Sequence, residues 1–142
     1  MEPRTRISRH DYFTEVAVVT SKRSSCPKKA VGAVLIRENR IIATGYNGVL
    51  SKESHANGMA ADGTTHTVHA EANIIAFCAK NGIATHDTTM YVTLSPCEKC
   101  AELIIQAGIK EVIYIEEYRD DAGLNKLREN DISIGIGYYE KH

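Results

Sequence analysis

The sequence lacks any long apolar run: nowhere in its 142 residues do the roughly 18 consecutive apolar side chains of a membrane-spanning helix occur. It also lacks a strong charge of either sign. The formal net charge is −1, which disfavours a long nucleic acid as a partner because binding a polyanion needs a basic surface. No internal repeat or low-complexity tract is present. These absences, together with 43% hydrophobic and 25% charged residues, indicate an ordinary globular protein.

The chain also lacks the features of a secretory leader, and it has little cysteine. Residues 1–10 are polar, include three arginines and are followed by no apolar run, so we expect a cytoplasmic location. In that setting cysteines are expected to be thiols or metal ligands rather than disulfides. The four cysteines are Cys26, Cys78, Cys97 and Cys100. Cys78 lies among apolar residues, which predicts a buried thiol.

The order of apolar patterns along the chain predicts an α/β fold. A helical pattern comes first, a β-hairpin follows, and after a long irregular segment helices and strands alternate. Such an order implies a mixed sheet with helices on both faces, and right-handed crossovers would place successive strands side by side and parallel. The length favours a single domain spanning residues 1–142. The predicted helices are 8–22, 68–80, 97–106 and 121–128, the strands are 31–36, 40–44, 88–94, 111–115 and 132–136, and the irregular segment is 51–65.

Two short motifs supply metal ligands and a carboxylate. They are His69-Ala70-Glu71 and Pro96-Cys97-Glu98-Lys99-Cys100. Two cysteines and one histidine form a ligand set that suits zinc. Structural zinc sites are closed by four protein ligands, whereas catalytic sites keep a position for water. Three ligands therefore predict a catalytic zinc ion, with Glu71 placed to move protons on the metal's water.

The spacing of these residues also predicts how they meet. Cys97 and Cys100 lie on one face in the first turn of a helix, where the helix dipole favours thiolate. His69 opens another helix, so two helix N-termini would point at one metal. Positions i and i+2 of a helix face apart, so Glu71 reaches the water only if its helix meets the site nearly end-on.

Other polar residues have more than one interpretation. His66 could complete a closed two-cysteine, two-histidine site in a non-catalytic zinc-stabilised module, or it could line the mouth of a substrate site. Cys26 is either a plain loop cysteine or, with His55, part of a second metal site. Lys22 belongs to a basic cluster that could bind one phosphate or form a solvated helix end; the other members are Arg23, Lys28 and Lys29. Asn47 can be a turn former, and Tyr118 can be edge packing.

Residues 11–134 resemble the deoxycytidylate (dCMP) deaminases of the cytidine deaminase superfamily. The zinc motifs alone mark the superfamily, and further segments narrow the resemblance to its nucleotide-specific branch. The segments that carry it are Ser21-Lys22-Arg23-Ser24-Ser25-Cys26, Val31-Gly32-Ala33-Val34, Gly45-Tyr46-Asn47-Gly48, Val68-His69-Ala70-Glu71-Ala72-Asn73, Tyr91-Val92-Thr93-Leu94-Ser95-Pro96-Cys97-Glu98-Lys99-Cys100 and Gln106-Ala107-Gly108-Ile109-Lys110.

The resemblance implies both an activity and a fold. It implies a three-layer α/β/α fold with a five-stranded mixed sheet, assembled as a homo-oligomer, often a hexamer. The activity would be zinc-dependent hydrolysis of dCMP to dUMP and ammonia for thymidylate synthesis, with zinc-bound hydroxide attacking C4 and Glu71 as proton shuttle. Relatives are activated by dCTP and inhibited by dTTP, and some bind a second zinc ion. Other substrates of the superfamily, such as a free nucleoside or a tRNA adenosine, are the alternative.

The resemblance also assigns roles to individual residues. It implies that zinc is bound by His69, Cys97 and Cys100. Asn47 would contact the sugar or phosphate, and Tyr118 would bind the nucleotide. Backbone groups near Ala70 and Ser95 would hold the edge of the pyrimidine ring.

Overall fold

The computed structural model describes residues 3–26, 28–48 and 67–140. Its first helix begins after Ser8, whose hydroxyl accepts a hydrogen bond from the backbone N–H of Asp11 at 3.0 Å, as a capping serine does. The helices are α1 (Arg9–Ser21), α2 (Ala70–Lys80), α3 (Glu98–Gln106) and α4 (Ala122–Glu129). The strands are β1 (Gly32–Arg37), β2 (Arg40–Tyr46), β3 (Thr89–Leu94), β4 (Glu111–Glu116) and β5 (Ser133–Ile136).

The strands form a five-stranded sheet in the order β2-β1-β3-β4-β5. β1 pairs antiparallel with both β2 and β3, whereas β3, β4 and β5 run parallel. The hairpin turn between β1 and β2 is Glu38-Asn39, and both residues have positive φ, 49° and 63°, as a two-residue hairpin turn requires. The predicted mixed sheet is therefore confirmed.

Helices cover both faces of this sheet. On one face, α1 packs Phe13 and Ala17 against side chains of β1, β3 and β4. On the other face, α2, α3 and α4 bury the larger core, which includes Ile74, Ile104 and Leu127. The predicted three-layer α/β/α fold is confirmed, and Cys78 is a fully buried thiol within the larger core.

One expectation about strand order is wrong. The parallel, side-by-side placement of successive strands holds for β3, β4 and β5, but β2 and β3 are separated by β1. The reason is burial: β1 is almost continuously apolar and buried, so it takes a central position, whereas the more polar and exposed β2 forms the edge.

Several expectations concern parts of the chain outside the described residues or are not tested by the fold. The irregular segment 51–65, His55 and His66 lie outside the described residues. That residues 1–142 form one domain stays a prediction. Within the described residues, the helices are all too short or too polar to cross a bilayer.

Candidate active site

Two helices begin side by side at one end of the sheet, and their first residues carry the predicted metal ligands. His69 is the N-cap of α2 and Cys97 is the N-cap of α3, both with extended backbone conformations. Neither side chain makes the capping hydrogen bond that an N-cap side chain often makes. The imidazole and the thiol are therefore available to a ligand.

The three side chains meet at distances that suit zinc. The His69 Nδ1 atom lies 3.6 Å from Cys97 Sγ and 3.3 Å from Cys100 Sγ. In a tetrahedral site with Zn–S of about 2.3 Å and Zn–N of about 2.0 Å, sulfur and nitrogen ligands are about 3.5 Å apart. Among the described residues, these three form the group of histidine, cysteine and acidic side chains close enough to share a metal ion. The donor set fits Zn²⁺, with two soft sulfurs and one imidazole nitrogen.

The protonation states of these groups are mutually dependent. A hydrogen bond from the Cys100 thiol, and then one with His69, lowers the pKa of Cys97 to about 3. The same hydrogen bond to Cys97, together with burial, raises the pKa of Cys100. Hydrogen bonding to Cys97 raises the pKa of His69. These contacts therefore favour the thiolate form of Cys97, which is the form of cysteine that binds zinc.

Glu71 lies in the first turn of α2 with its side chain 4% exposed. Burial raises the pKa of this carboxyl group to about 7. A carboxyl group with such a pKa exchanges protons readily near neutral pH, which is the property of a general acid–base catalyst. Glu71 and two of the three candidate zinc ligands, His69 and Cys97, line the same cavity.

The cavity has a volume of about 220 Å³, which suits a small molecule. Part of its wall comes from residues 24–26 and 28–31, here called the lysine segment, between α1 and β1. This segment contributes Lys28 and Lys29 to the lining. The full lining is Cys26, Lys28, Lys29, Val31, Asn47, Thr67, His69, Ala70, Glu71, Leu94, Ser95, Cys97 and Tyr118.

The sequence did not predict the ion pair at the rim of this cavity. Lys29 Nζ lies 2.8 Å from a carboxylate oxygen of Glu116, at the end of β4. Both side chains are more than half exposed, so the pair contributes little to stability. The two residues are 87 positions apart, and no local pattern could have indicated their contact.

Three residues predicted to bind the substrate line the cavity from the side of the sheet and α2. Ala70 is fully buried there and Ser95 is 3% exposed. The backbone N–H of Ser95 donates to the carbonyl oxygen of Glu116 at 2.9 Å, so this N–H already has a partner within the protein. The Ser95 hydroxyl accepts a hydrogen bond from the backbone N–H of Tyr118 at 2.6 Å and so holds Tyr118 at the cavity.

The remaining residues predicted from the sequence do not all line this cavity. Asn47 lines the cavity but is buried and bonded to the lysine segment. Lys22 lies elsewhere, in a second cavity between α1 and Tyr139, whereas Lys28 and Lys29 of the same basic cluster line the first. Cys26 lines the first cavity, 3.7 Å from the hydroxyl of Thr67, and is not part of the three-ligand group. Its role in a second metal site with His55, and the role of His66, stay predictions.

Comparison with known proteins supports this description of the site. Residues 7–116 match the family model described as the cytidine and deoxycytidylate deaminase zinc-binding region. The chain is 42% identical over 128 residues to ComE operon protein 2 of Bacillus subtilis, covering 87% of this chain and 68% of that protein. It is 40% identical over 120 residues to the human deoxycytidylate deaminase, covering 78% of this chain and 66% of that protein.

One solved structure is similar to this chain over nearly the whole length of both proteins. The dCMP deaminase of the cyanophage S-TIM5, crystallised in complex with dCMP and dUMP, superposes with a TM-score of 0.85 at 30% sequence identity. The match covers 94% of this chain and 99% of the phage protein. The similarity therefore includes the elements that carry the three ligands and Glu71.

Proposed function

Because this chain belongs to the cytidine and deoxycytidylate deaminase zinc-binding family, we propose that it hydrolyses dCMP to dUMP and ammonia. One observation carries the proposal: His69, Cys97 and Cys100 lie close enough to share a metal ion, and two of them line a small cavity together with the buried carboxyl group of Glu71. The relatives named as deoxycytidylate deaminases and the dCMP complex of the phage protein support this choice of substrate.

The zinc ligands and Glu71 would divide the chemistry between them. His69, Cys97 and Cys100 would hold the zinc ion, which when bound acidifies a water molecule and so supplies the nucleophile. Glu71 would accept a proton from that water and deliver it to N3 of the cytosine ring. It would then transfer a second proton, from the new C4 hydroxyl, to the amino group, which leaves as ammonia. General acid–base catalysis of this kind contributes roughly 10²- to 10⁴-fold in rate.

The remaining lining would bind the rest of the nucleotide. The carbonyl oxygen of Ser95 and the backbone at Ala70 would hold the edge of the pyrimidine, and Tyr118 would contact the nucleotide. At the rim, Lys28 would supply positive charge for a phosphate, and the phosphate would compete with Glu116 for Lys29, whereas a free nucleoside offers no such group. The near-neutral net charge also favours a small phosphorylated ligand over a polynucleotide.

Assembly and regulation stay predictions that follow from the family resemblance, and location stays a prediction that follows from the polar N-terminal residues. We propose a homo-oligomer, with a hexamer favoured, a response to dCTP and dTTP, and a cytoplasmic location. These properties do not depend on the catalytic proposal.

The proposal is tested by substrate profiling of the purified, zinc-loaded protein. Loss of cytosine absorbance is followed with dCMP, CMP, dCTP and deoxycytidine, and release of ammonia is followed with AMP as an adenine control. A charge-assisted contact contributes about 1.5–3 kcal/mol, so kcat/KM for dCMP should exceed that for deoxycytidine by at least about tenfold. A preference for the free nucleoside, or for the adenine nucleotide, would contradict the assignment.

A further inference from the structure

The lysine segment (residues 24–26 and 28–31) forms a wall of the cavity without belonging to a helix or strand. Its lysine side chains are exposed and bring positive charge to the rim. Such a segment lacks the repeated backbone hydrogen bonds that hold a helix or a strand. Side-chain contacts must therefore fix the place of its two lysines relative to the zinc ligands.

Asn47, directly after β2, makes those contacts. Its side-chain oxygen accepts a hydrogen bond from the backbone N–H of Val31 at 2.9 Å. Its side-chain nitrogen donates to the carbonyl oxygen of Lys29 at 2.6 Å. Its backbone N–H donates to the carbonyl oxygen of Val31 at 3.1 Å. The Asn47 residue, which is 6% exposed, thus bonds the end of the lysine segment through both the donor and the acceptor atoms of its side chain.

Ser24 fastens the beginning of the same segment to the same residue. Its hydroxyl lies 2.6 Å from the side-chain oxygen of Asn47 and 2.8 Å from the Asn47 carbonyl oxygen, and it donates to this pair. The hydroxyl also accepts a hydrogen bond from the backbone N–H of Cys26 at 3.1 Å. Both ends of the lysine segment therefore depend on Asn47, and Ser24 is the link at the first end.

These contacts leave Asn47 little capacity for a ligand. Its side-chain oxygen already has two partners, and one of its two N–H groups is bonded to Lys29. An amide is required at this position because an aspartate has no N–H to donate to the Lys29 carbonyl oxygen.

We propose that Asn47 and Ser24 are positioning residues that hold the lysine segment against the cavity and so set its preference for a phosphorylated ligand over an unphosphorylated one. The substrate part of this inference rests on the proposed function. The zinc ligands and Glu71 lie on α2 and α3, so displacing the lysine segment would weaken binding at the phosphate end and leave the reacting end in place.

The experiment compares Ser24→Ala with Ser21→Ala in the zinc-loaded full chain. The Ser21 hydroxyl bonds the carbonyl oxygen of Val18 within α1, so its loss is a matched control for removal of one hydroxyl group. For Ser24→Ala we expect KM for dCMP to rise about tenfold while kcat changes little, because about one to two hydrogen bonds are lost. KM for deoxycytidine and the bound zinc should match the parent protein.

A second readout does not depend on turnover. Amide hydrogen exchange of Cys26 and Val31 should be faster in Ser24→Ala than in the parent protein or Ser21→Ala. Ser24→Thr keeps a hydroxyl and should restore both the slow exchange and the lower KM. If Ser24→Ala folds but leaves exchange at both amides unchanged, the positioning role is wrong. If it raises KM equally for dCMP and deoxycytidine, the specificity role is wrong.

The outcomes separate this inference from the proposed function. A parent protein that does not deaminate dCMP would overturn the proposed function and with it the specificity role, whereas amide exchange would still decide whether Ser24 holds the segment. Asn47→Asp adds an independent test of the amide, since it should raise KM for dCMP more than Ser24→Ala does. An Asn47→Asp protein with the parent's KM and exchange rates would show that the Lys29 contact is dispensable.

Discussion

Glu71 is a carboxyl group that the fold keeps almost completely out of solvent. It is 4% exposed, and burial raises its pKa to about 7. Burying an acidic side chain usually destabilises a protein, because the charged form loses its hydration. In the proposed reaction this cost would have a function, since a base that titrates near neutral pH can both accept and return a proton in one reaction cycle.

Replacing Glu71 by glutamine should separate metal binding from catalysis. Glu71→Gln keeps the size of the side chain but cannot accept a proton, so we expect kcat to fall by about 10²- to 10⁴-fold. Zinc content should remain at the parent level because Glu71 is not one of the three ligands. Metal analysis and dCMP turnover measure the two properties on the same preparation.

The matched control is Glu129→Gln, which neutralises an exposed carboxylate at the end of α4. It should retain the parent's turnover. Parental activity in Glu71→Gln would remove Glu71 from the mechanism, and loss of zinc in that variant would make it a metal ligand instead of a proton carrier.

At the level of elements, α4 supports the helix that carries the two cysteines. A Cβ atom at Gly123 would collide with the carbonyl oxygen of Pro96 and lie 2.9 Å from that of Cys97. Glycine therefore lets the start of α4 touch the backbone of the cysteine motif. Lys126, one turn later, binds Glu98 at 3.2 Å and Glu102 at 2.7 Å and holds α4 along α3.

Gly123→Ala should weaken zinc binding although residue 123 touches no metal. The added methyl group must push α4 away from Pro96 and Cys97, which costs about 1–3 kcal/mol of stability. Disturbing the contacts that hold a metal ligand in place typically lowers the metal affinity by about 10- to 100-fold. Competition with a chromophoric chelator measures the affinity, and urea unfolding measures the stability.

Gly135→Ala is the control for this substitution. A Cβ atom at Gly135 would lie 3.4 Å from a side-chain carbon of Ile113, which is an ordinary contact, so zinc affinity should not change. A folded Gly123→Ala protein that binds zinc as tightly as the parent would show that the contact between α4 and Cys97 does not support the metal site.

At the level of the whole molecule, the metal would join two helices that are distant in sequence. His69 precedes α2 and Cys97 precedes α3, and both helices pack in the same core on one face of the sheet. Zinc bound between them adds its binding free energy to folding, because the unfolded chain does not preserve the site.

Removal of zinc should therefore lower thermal stability. With free zinc at 1,000 times its dissociation constant, zinc binding adds about 4 kcal/mol to the free energy of unfolding. A chelator should therefore lower Tm by on the order of 10 °C. Adding back zinc should restore the original Tm. Calorimetry or circular dichroism measures the transition.

His69→Ala provides the comparison for the chelator experiment. Without one of its three ligands, this variant should melt at about the same temperature with and without chelator. A parent protein whose Tm is insensitive to chelation would contradict the linkage between the metal and the fold.

The sequence by itself determined the features that depend on local patterns. The motifs around His69 and Cys97 pointed to the three side chains that the structure brings together, because coordination chemistry demands particular side chains at short spacings. The hydrophobic periodicity identified the helices and strands, since each element must bury one face. Even the capping role of Ser8 could be read from its position before α1.

The tertiary structure alone decided which distant residues meet. It placed β1 between β2 and β3, because the more apolar strand is better buried. It brought Lys28 and Lys29, rather than Lys22, to the cavity. It joined Ser24 to Asn47 across 23 positions of the chain. Such contacts depend on sheet order and on packing between elements, which no short stretch of sequence encodes, and they are what turns a set of zinc ligands into a shaped site.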